Sequence, residues 1–187
     1  MKSFNKWLTQ HLVEADVPFD KLDSCLPFIR LLNGLLKMKP RNIPCSKTLR
    51  TQVDDVYEER IQQIRDKINE DKIHLIIDES THIKGRFVCN VLVGALNGQP
   101  SKPMLLLVKF LDQVNTGSIC QTVNETCSLL WKGNIECARL LLVVSDQASY
   151  MVSAIRCLKE TKMYPNLHHI TCIVHALHRV SELIRSN

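Results

Sequence analysis

The sequence predicts an α/β fold in which an all-α segment, residues 1–71, precedes a mixed sheet formed within residues 72–187. Up to Asn69 the apolar residues recur every three or four positions, as they do on one face of a helix. From Lys72 onward, short apolar runs typical of strands replace this pattern, and the later runs alternate with helical stretches. The predicted order of elements after residue 71 is therefore β-β-β-α-β-α-β-α.

The all-α segment should contain three helices. The first covers about Phe4 to Val13, and Pro18 stops it from continuing. The second covers about Lys21 to Leu36, and a loop with two prolines follows it. The third begins at Ser46 or Lys47 and runs to about Asn69 as one long helix. Its buried stripe should consist of Val53, Val56, Tyr57, Ile61, Ile64 and Ile68.

The first three strands lie in KIHLIIDEST, RFVCNVLVGALNG and PMLLLVKFLDQ, and the short turn-rich joints between them predict antiparallel neighbours. A helix capped by Thr116 should then run to about Trp131. The fourth strand is LLLVVSD, a run apolar enough to be buried on both faces. A helix from about Ala148 to Thr161, the short strand HHITCIV and the helix HALHRVSELIR complete the order.

The composition sets limits on the class of protein. Hydrophobic residues make up 45% and charged residues 23% of the chain, which predicts a soluble globular protein. The eight cysteines form no CxxC pair, and most lie in apolar segments, so we expect reduced thiols inside a cell. We find neither a signal peptide nor 18 consecutive apolar residues, and we expect no membrane partner. The expected locations are the nucleus and the cytosol.

A basic loop is the candidate for contact with DNA. The chain carries a net charge of +5, which permits a nucleic-acid partner without requiring one. Between residues 37 and 50 it has five basic residues and no acidic one, and side chains of this kind bind phosphates. An ordinary solvated loop remains the alternative. The five residues are Lys37, Lys39, Arg41, Lys47 and Arg50.

Two of the predicted strands end in an aspartate. Asp78 ends the first strand and Asp146 follows the fourth, and ligands collect at the carboxyl ends of strands in open α/β sheets. If these strands are neighbours, the two carboxylates face each other across a short gap and suit Mg²⁺ or Mn²⁺. Paired metals cleave phosphodiesters, and such sites usually need a third carboxylate. The alternative is that Ser145 and Asp146 only cap the following helix.

The order of the elements is that of a ribonuclease H-like core, and three motifs add a family resemblance. IIDEST, VVSDQASYM and HITCIVHALHRVSE resemble hAT-superfamily transposases, in which two aspartates and a later glutamate form a DDE triad with Mg²⁺ or Mn²⁺. The resemblance implies that Asp78 and Asp146 are the first two acids, and that Cys172 and His175 are the CxxH motif beside the site. LVEADVPFDKL, NIPCSKTLR and VYEERIQQIRDKI are similar to segments of the CGG triplet-repeat-binding protein family.

The chain also departs from the hAT pattern. It has no BED-type zinc-finger spacing before Lys72, and it stops at Asn187, where the family inserts a helical domain before its glutamate. Glu182 does not match the position of that acid. We therefore expect a DNA-associated, transposon-derived nuclear fragment with weak or no metal binding and an incomplete catalytic site. The alternative is part of an active transposase, completed by a missing C-terminal part, and we expect a homo-oligomer or an assembly with a full-length relative.

A zinc site is a further interpretation of the same region. Cys172, His175 and His178 lie on successive turns of one helical face, and His168 and His169 are near in sequence. Structural zinc needs four convergent ligands at a different spacing. Packing and hydrogen bonding of these side chains at a strand-to-helix junction is therefore the favoured interpretation.

Overall fold

A computed structural model of the chain describes residues 3–35, 44–83, 85–100 and 102–186. It divides into two compact units, Met1–Gln63 and Ile64–Asn187. The division falls inside a helix that supplies residues to both units. Among the described helices, none is long and apolar enough to cross a membrane.

In the described part of the first unit, the regular elements are all helices. Its elements are α1 (Phe4–Glu14), α2 (Phe19–Leu35), α3 (Ser46–Arg50) and the first part of α4 (Val53–Ile68). The side chain of Thr9 is fully buried and donates hydrogen bonds to the carbonyls of Asn5 (2.9 Å) and Leu49 (3.4 Å). Because Leu49 is itself fully buried, this threonine joins α1 to α3 around a small core.

The predicted long third helix is instead two helices. After α3, the Thr51 hydroxyl donates to the Thr48 carbonyl (2.8 Å), and the Gln52 N–H donates to the Leu49 carbonyl (2.9 Å). Such side-chain bonds and tightened turns compete with the helical hydrogen-bond ladder, so the chain turns before α4 begins. The predicted stripe is only partly buried, because Ile61, Ile64 and Ile68 are inside and Tyr57 is exposed.

The second unit contains a five-stranded mixed sheet. The strands are β1 (Ile73–Thr81), β2 (Phe87–Ala95), β3 (Met104–Leu111), β4 (Leu140–Ser145) and β5 (His168–Thr171), in the order β3-β2-β1-β4-β5. Strands β1, β2 and β3 are antiparallel neighbours, whereas β4 is parallel to β1 and β5 is parallel to β4. The predicted fold class is confirmed: a mixed α/β sheet compatible with a ribonuclease H-like core, preceded by helices.

Among the described residues that follow β3, this unit has three α-helices, α5 (Thr116–Leu130), α6 (Ser149–Glu160) and α7 (Ile173–Ser186). The sequence predicts Thr116 as the cap of α5, but the cap is Asn115. Its side chain accepts the Ser118 N–H (2.9 Å), and the Ser118 hydroxyl accepts the Asn115 N–H (3.0 Å). An asparagine with serine three residues later thus satisfies two backbone donors at once.

Alternation along β1 defines a buried and an open side of the sheet. Ile73, Leu75 and Ile77 are buried together with Val91 and Val93 of β2. Helices α5 and α6 supply buried residues to the same unit. The opposite side of β3 presents exposed apolar side chains, namely Leu105, Val108 and Phe110.

Helix α7 also exposes apolar side chains. Each member of its apolar stripe is between 52% and 73% exposed. Contiguous exposed apolar surface is uncommon in soluble monomers and often marks a contact surface. The members of the stripe are Ile173, Val174, Leu177, Val180, Leu183 and Ile184.

Candidate acidic site at the ends of the parallel strands

Asp78 lies on the open side of the central strand. Because side chains alternate along a strand, Asp78 points away from the core side occupied by Ile77, and its side chain is half exposed. Its sequence neighbour Glu79 points to the other side, where its carboxylate accepts a hydrogen bond from the Tyr150 hydroxyl (2.6 Å). Burial, followed by this bond, raises the pKa of Tyr150. The two adjacent acids therefore belong to different environments.

The pairing of β1 with β4 brings Asp146 to the level of Asp78. The register aligns Ile76 with Val144, and each aspartate lies two residues further along its chain. Asp146 directly follows Ser145, the last residue of β4, so it leaves the sheet beside the part of β1 that carries Asp78. The negative charges of both aspartates contribute to raising the pKa of His175, so both carboxylates lie near this one imidazole.

Helix α7 places His175 at the two acids. The Cys172 N–H donates to the Ser145 carbonyl (2.7 Å), which ties the start of α7 to the end of β4. One turn later, His175 Nε2 lies 3.7 Å from Asp78 Oδ1. Hydrogen bonding to the Cys172 thiol is the main cause that raises the pKa of His175. Conversely, the His175 backbone N–H and then its side chain lower the pKa of Cys172.

Asp146 also holds the turn that leads into α6. Its Oδ1 accepts the Ala148 N–H (3.1 Å), whereas Ala148, the residue that caps α6, contributes no side-chain bond. Ser145 is buried and shares a hydrogen bond with His169 Nε2 (2.9 Å). Asp146 therefore has a role in the local turn, which is the alternative that the sequence offers. This role uses one carboxylate oxygen.

The residues fit a divalent cation only in part. Mg²⁺ commonly takes one or two carboxylates and completes its shell with water and phosphate oxygens, which Asp78 and Asp146 could accommodate. A two-metal site needs a further carboxylate, but Glu79 is bound by Tyr150 on the other side and Glu182 lies 3.3 Å from His178. Within the described ranges no group of three or more His, Cys, Asp or Glu could hold a metal ion.

The side chains considered as zinc ligands each make a different contact. His178 pairs with Glu182, and His169 binds Ser145, while Cys172 and His175 interact with each other. In the parts of the chain that the structure describes, these groups do not form a ligand set. The contacts of His169 with Ser145 and of Cys172 with His175 lie at the junction of strand and helix, whereas His178 pairs with Glu182 along α7.

Of the predicted DNA-binding residues, Lys37, Lys39 and Arg41 lie outside the described residues. Lys47 is exposed on α3. Arg50 Nη2 lies 2.5 Å from Asp20 Oδ1, and its guanidinium stands over the ring of Phe19. The Ser46 N–H at the start of α3 donates to Asp23 Oδ1 (2.9 Å), so a carboxylate already occupies a position where a phosphate could bind.

Two contacts of the site are not predicted by the sequence. The alternation of β1 separates Asp78 from Glu79, because consecutive strand residues point in opposite directions. This alternation does not identify Tyr150 as the hydrogen-bond partner of Glu79, because the two residues are far apart in sequence. The same holds for His175, whose contact with Asp78 depends on the path of α7.

Comparison with known proteins adds little to this description. No protein-family model matches the chain, and no curated protein matches it. Among solved structures, the chain is similar to a Marinitoga piezophila Argonaute in complex with 5′ OH guide RNA, with a TM-score of 0.31 and 9% identity. The match covers 75% of this chain and 25% of that chain, so the chain spans about a quarter of the Argonaute's length. Similarity at this level assigns neither family nor function.

Proposed function

We propose that this chain is a hAT transposase-like, transposon-derived protein that associates with DNA in the nucleus and does not cleave DNA by itself. The observation that carries the proposal is that Asp78 on β1 and Asp146, just after the adjacent parallel strand β4, both lie near His175. Carboxylates so placed are suited to holding a divalent cation beside a phosphodiester. The proposed family rests on the resemblance of the surrounding sequence motifs to hAT transposases.

The surroundings of the two acids favour loss of cleavage. The acids nearest in sequence or along α7, Glu79 and Glu182, are engaged by Tyr150 and His178. The pKa of His175 is raised, and protonation of this imidazole offsets the charge of the acids at the place where a metal would otherwise do so. Loss of an essential ligand in a metal site commonly lowers the rate by several orders of magnitude.

Association with DNA is proposed for the basic segment of residues 37–50, of which the structure describes residues 44–50. Phosphate binding by lysine and arginine requires neither the aspartates nor a metal, so it can persist where cleavage is lost. Lys47 is exposed and suited to this role. Arg50 is partly neutralised by Asp20 and should contribute less.

The cleavage test uses the purified chain, end-labelled duplex DNA and either Mg²⁺ or Mn²⁺. We expect no strand cleavage above that of a protein carrying Asp78→Asn and Asp146→Asn together. Metal-dependent cleavage that disappears in either single variant would replace the proposal with an active enzyme. The half-exposed Asp78 favours that alternative, in which a carboxylate supplied by another segment or chain completes the site.

The binding test measures affinity for duplex DNA as a function of salt. Alanine at Lys37, Lys39, Arg41, Lys47 and Arg50 should weaken binding and reduce the slope of log K against log salt by about 0.9 for each phosphate that the variant no longer neutralises. Alanine at Arg156, Lys159 and Lys162, which are exposed on or just after α6, is the matched control and should change little. Salt-independent binding, or equal losses of affinity in both variants, would contradict the basic-loop assignment.

A further inference from the structure

Two cysteines of the second unit meet where α5 packs beside α6. The Cys120 thiol donates to the Ala154 carbonyl across the helix pair (3.5 Å). Cys157 follows Ala154 by three residues on the same helix. Helical side chains lean toward the N-terminus and cover the preceding turn, so the Cys157 thiol lies over the turn that Cys120 contacts. Burial, and then the charge of the neighbouring Cys157, raise the pKa of the Cys120 thiol, which agrees with two thiols that lie close together.

This pair differs from Cys89 and Cys127 of the sheet unit in its access to solvent. Cys89 and Cys127 are fully buried, and burial raises their pKa values to about 11 and about 12. Cys157 is exposed, and Cys120 is only partly buried beside it. A water-borne oxidant can therefore reach Cys157 first, and the neighbouring thiol is in place to react with the product.

We propose that Cys120 and Cys157 are a redox-sensitive pair that closes to an intramolecular disulfide when the protein meets a peroxide. The Cys157 thiolate attacks one oxygen of hydrogen peroxide, the O–O bond breaks, and sulfenic acid and water form. The Cys120 sulfur then attacks the Cys157 sulfur, the S–O bond breaks, and the hydroxyl leaves as water with the remaining proton. Two thiols lose two electrons, and one peroxide becomes two waters.

The disulfide would restrain the segment that carries Asp146. Residues 120 and 157 bracket β4 and the turn after it, and Asp146 binds the N–H of Ala148 immediately before α6. Joining α6 to α5 fixes both helices that supply buried residues to the sheet unit. A cross-link of this loop also restricts the unfolded chain and should raise Tm by roughly 5–10 °C, which dithiothreitol should reverse.

The experiment treats the full chain with hydrogen peroxide, blocks free thiols with N-ethylmaleimide and identifies linked peptides by non-reducing digestion and mass spectrometry. We expect a linked peptide pair containing Cys120 and Cys157, lost in Cys157→Ser and retained in Cys137→Ser. Cys137 is the matched control, because it lies near the buried Cys127 and the two could form a competing disulfide.

The wild-type mass spectrum decides the proposal even where a serine variant folds poorly. Linkage of Cys127 to Cys137, or oxidation of Cys157 to sulfinic acid while Cys120 remains free for alkylation, would overturn it. An oxidised protein with the expected linkage but unchanged Tm would overturn the proposed restraint of α5 and α6. None of these results depends on DNA binding or on the two aspartates.

Discussion

The imidazole of His74 on β1 occupies the space beside Gly94, its cross-strand partner on β2. A Cβ atom on residue 94 would lie 2.8 Å from His74 Nε2 and 3.2 Å from Nδ1, closer than packed atoms normally approach. The Nδ1 atom of this ring is buried without a hydrogen-bond partner among the described residues. A side chain larger than glycine at position 94 would force the ring to move.

Gly94→Ala should destabilise the protein by about 1–3 kcal/mol, because the added methyl overpacks a rigid ring. In a protein that already carries His74→Ala, Gly94→Ala should cost little further stability, because the ring that the added methyl contacts is gone. Urea unfolding of the wild type, both single variants and the double variant measures the coupling. Additive effects of the two substitutions would show that the ring and the glycine do not interact.

Acid should weaken the fold partly through His74. Burial lowers the pKa of His74, so the unfolded chain takes up a proton near the ordinary value of about 6.5 before the folded chain does. Stability from this residue is thus present above pH 6.5 and decreases as the pH falls below it. His74→Gln should lose less stability between pH 7.5 and 5.5, as measured by urea midpoints. Equal losses of stability in both proteins would refute this assignment.

His175 should report directly on Asp78. The Cys172 thiol is the main cause of its raised pKa, and Asp78 and Asp146 add to it. Asp78→Asn should therefore lower the pKa of His175, and Cys172→Ser should lower it more. Glu182→Gln, which removes an acid paired with His178 on the same helix, is the control and should have little effect. An NMR titration of the imidazole measures all three, and an unchanged value in Asp78→Asn would argue against the contact.

The exposed stripe of α7 should cause self-association or aggregation. Contiguous exposed apolar side chains favour contacts that remove them from water. Leu177→Lys with Val180→Lys should shift the protein toward monomer without lowering its stability, since both side chains are already exposed. Val152→Lys on α6 is the control for added charge. Light scattering across a range of concentrations tests this, and a wild-type monomer throughout would contradict it.

The sequence alone predicts the order and type of the elements well, because these depend on short-range patterns. Alternating and continuous apolar runs locate all five strands. The expectation that Asp78 ends the first strand is wrong, because β1 continues to Thr81, whereas Asp146 does follow the end of β4. The sequence is less accurate where local competition decides the outcome. Thr51 divides the predicted third helix through a bond to Thr48, and Asn115 takes the capping position expected of Thr116.

Only the tertiary structure decides which of these residues meet. Pairing of β1 with β4 brings Asp146 near Asp78, and the turn after β5 brings His175 to Asp78. Packing of α5 beside α6 likewise joins Cys120 to Cys157, and the path of α7 leaves its apolar stripe in solvent. The contacts join residues that are distant in sequence, and the exposure of the α7 stripe depends on which elements pack against it. Local periodicity carries no information about such contacts, because they arise from the way whole elements pack.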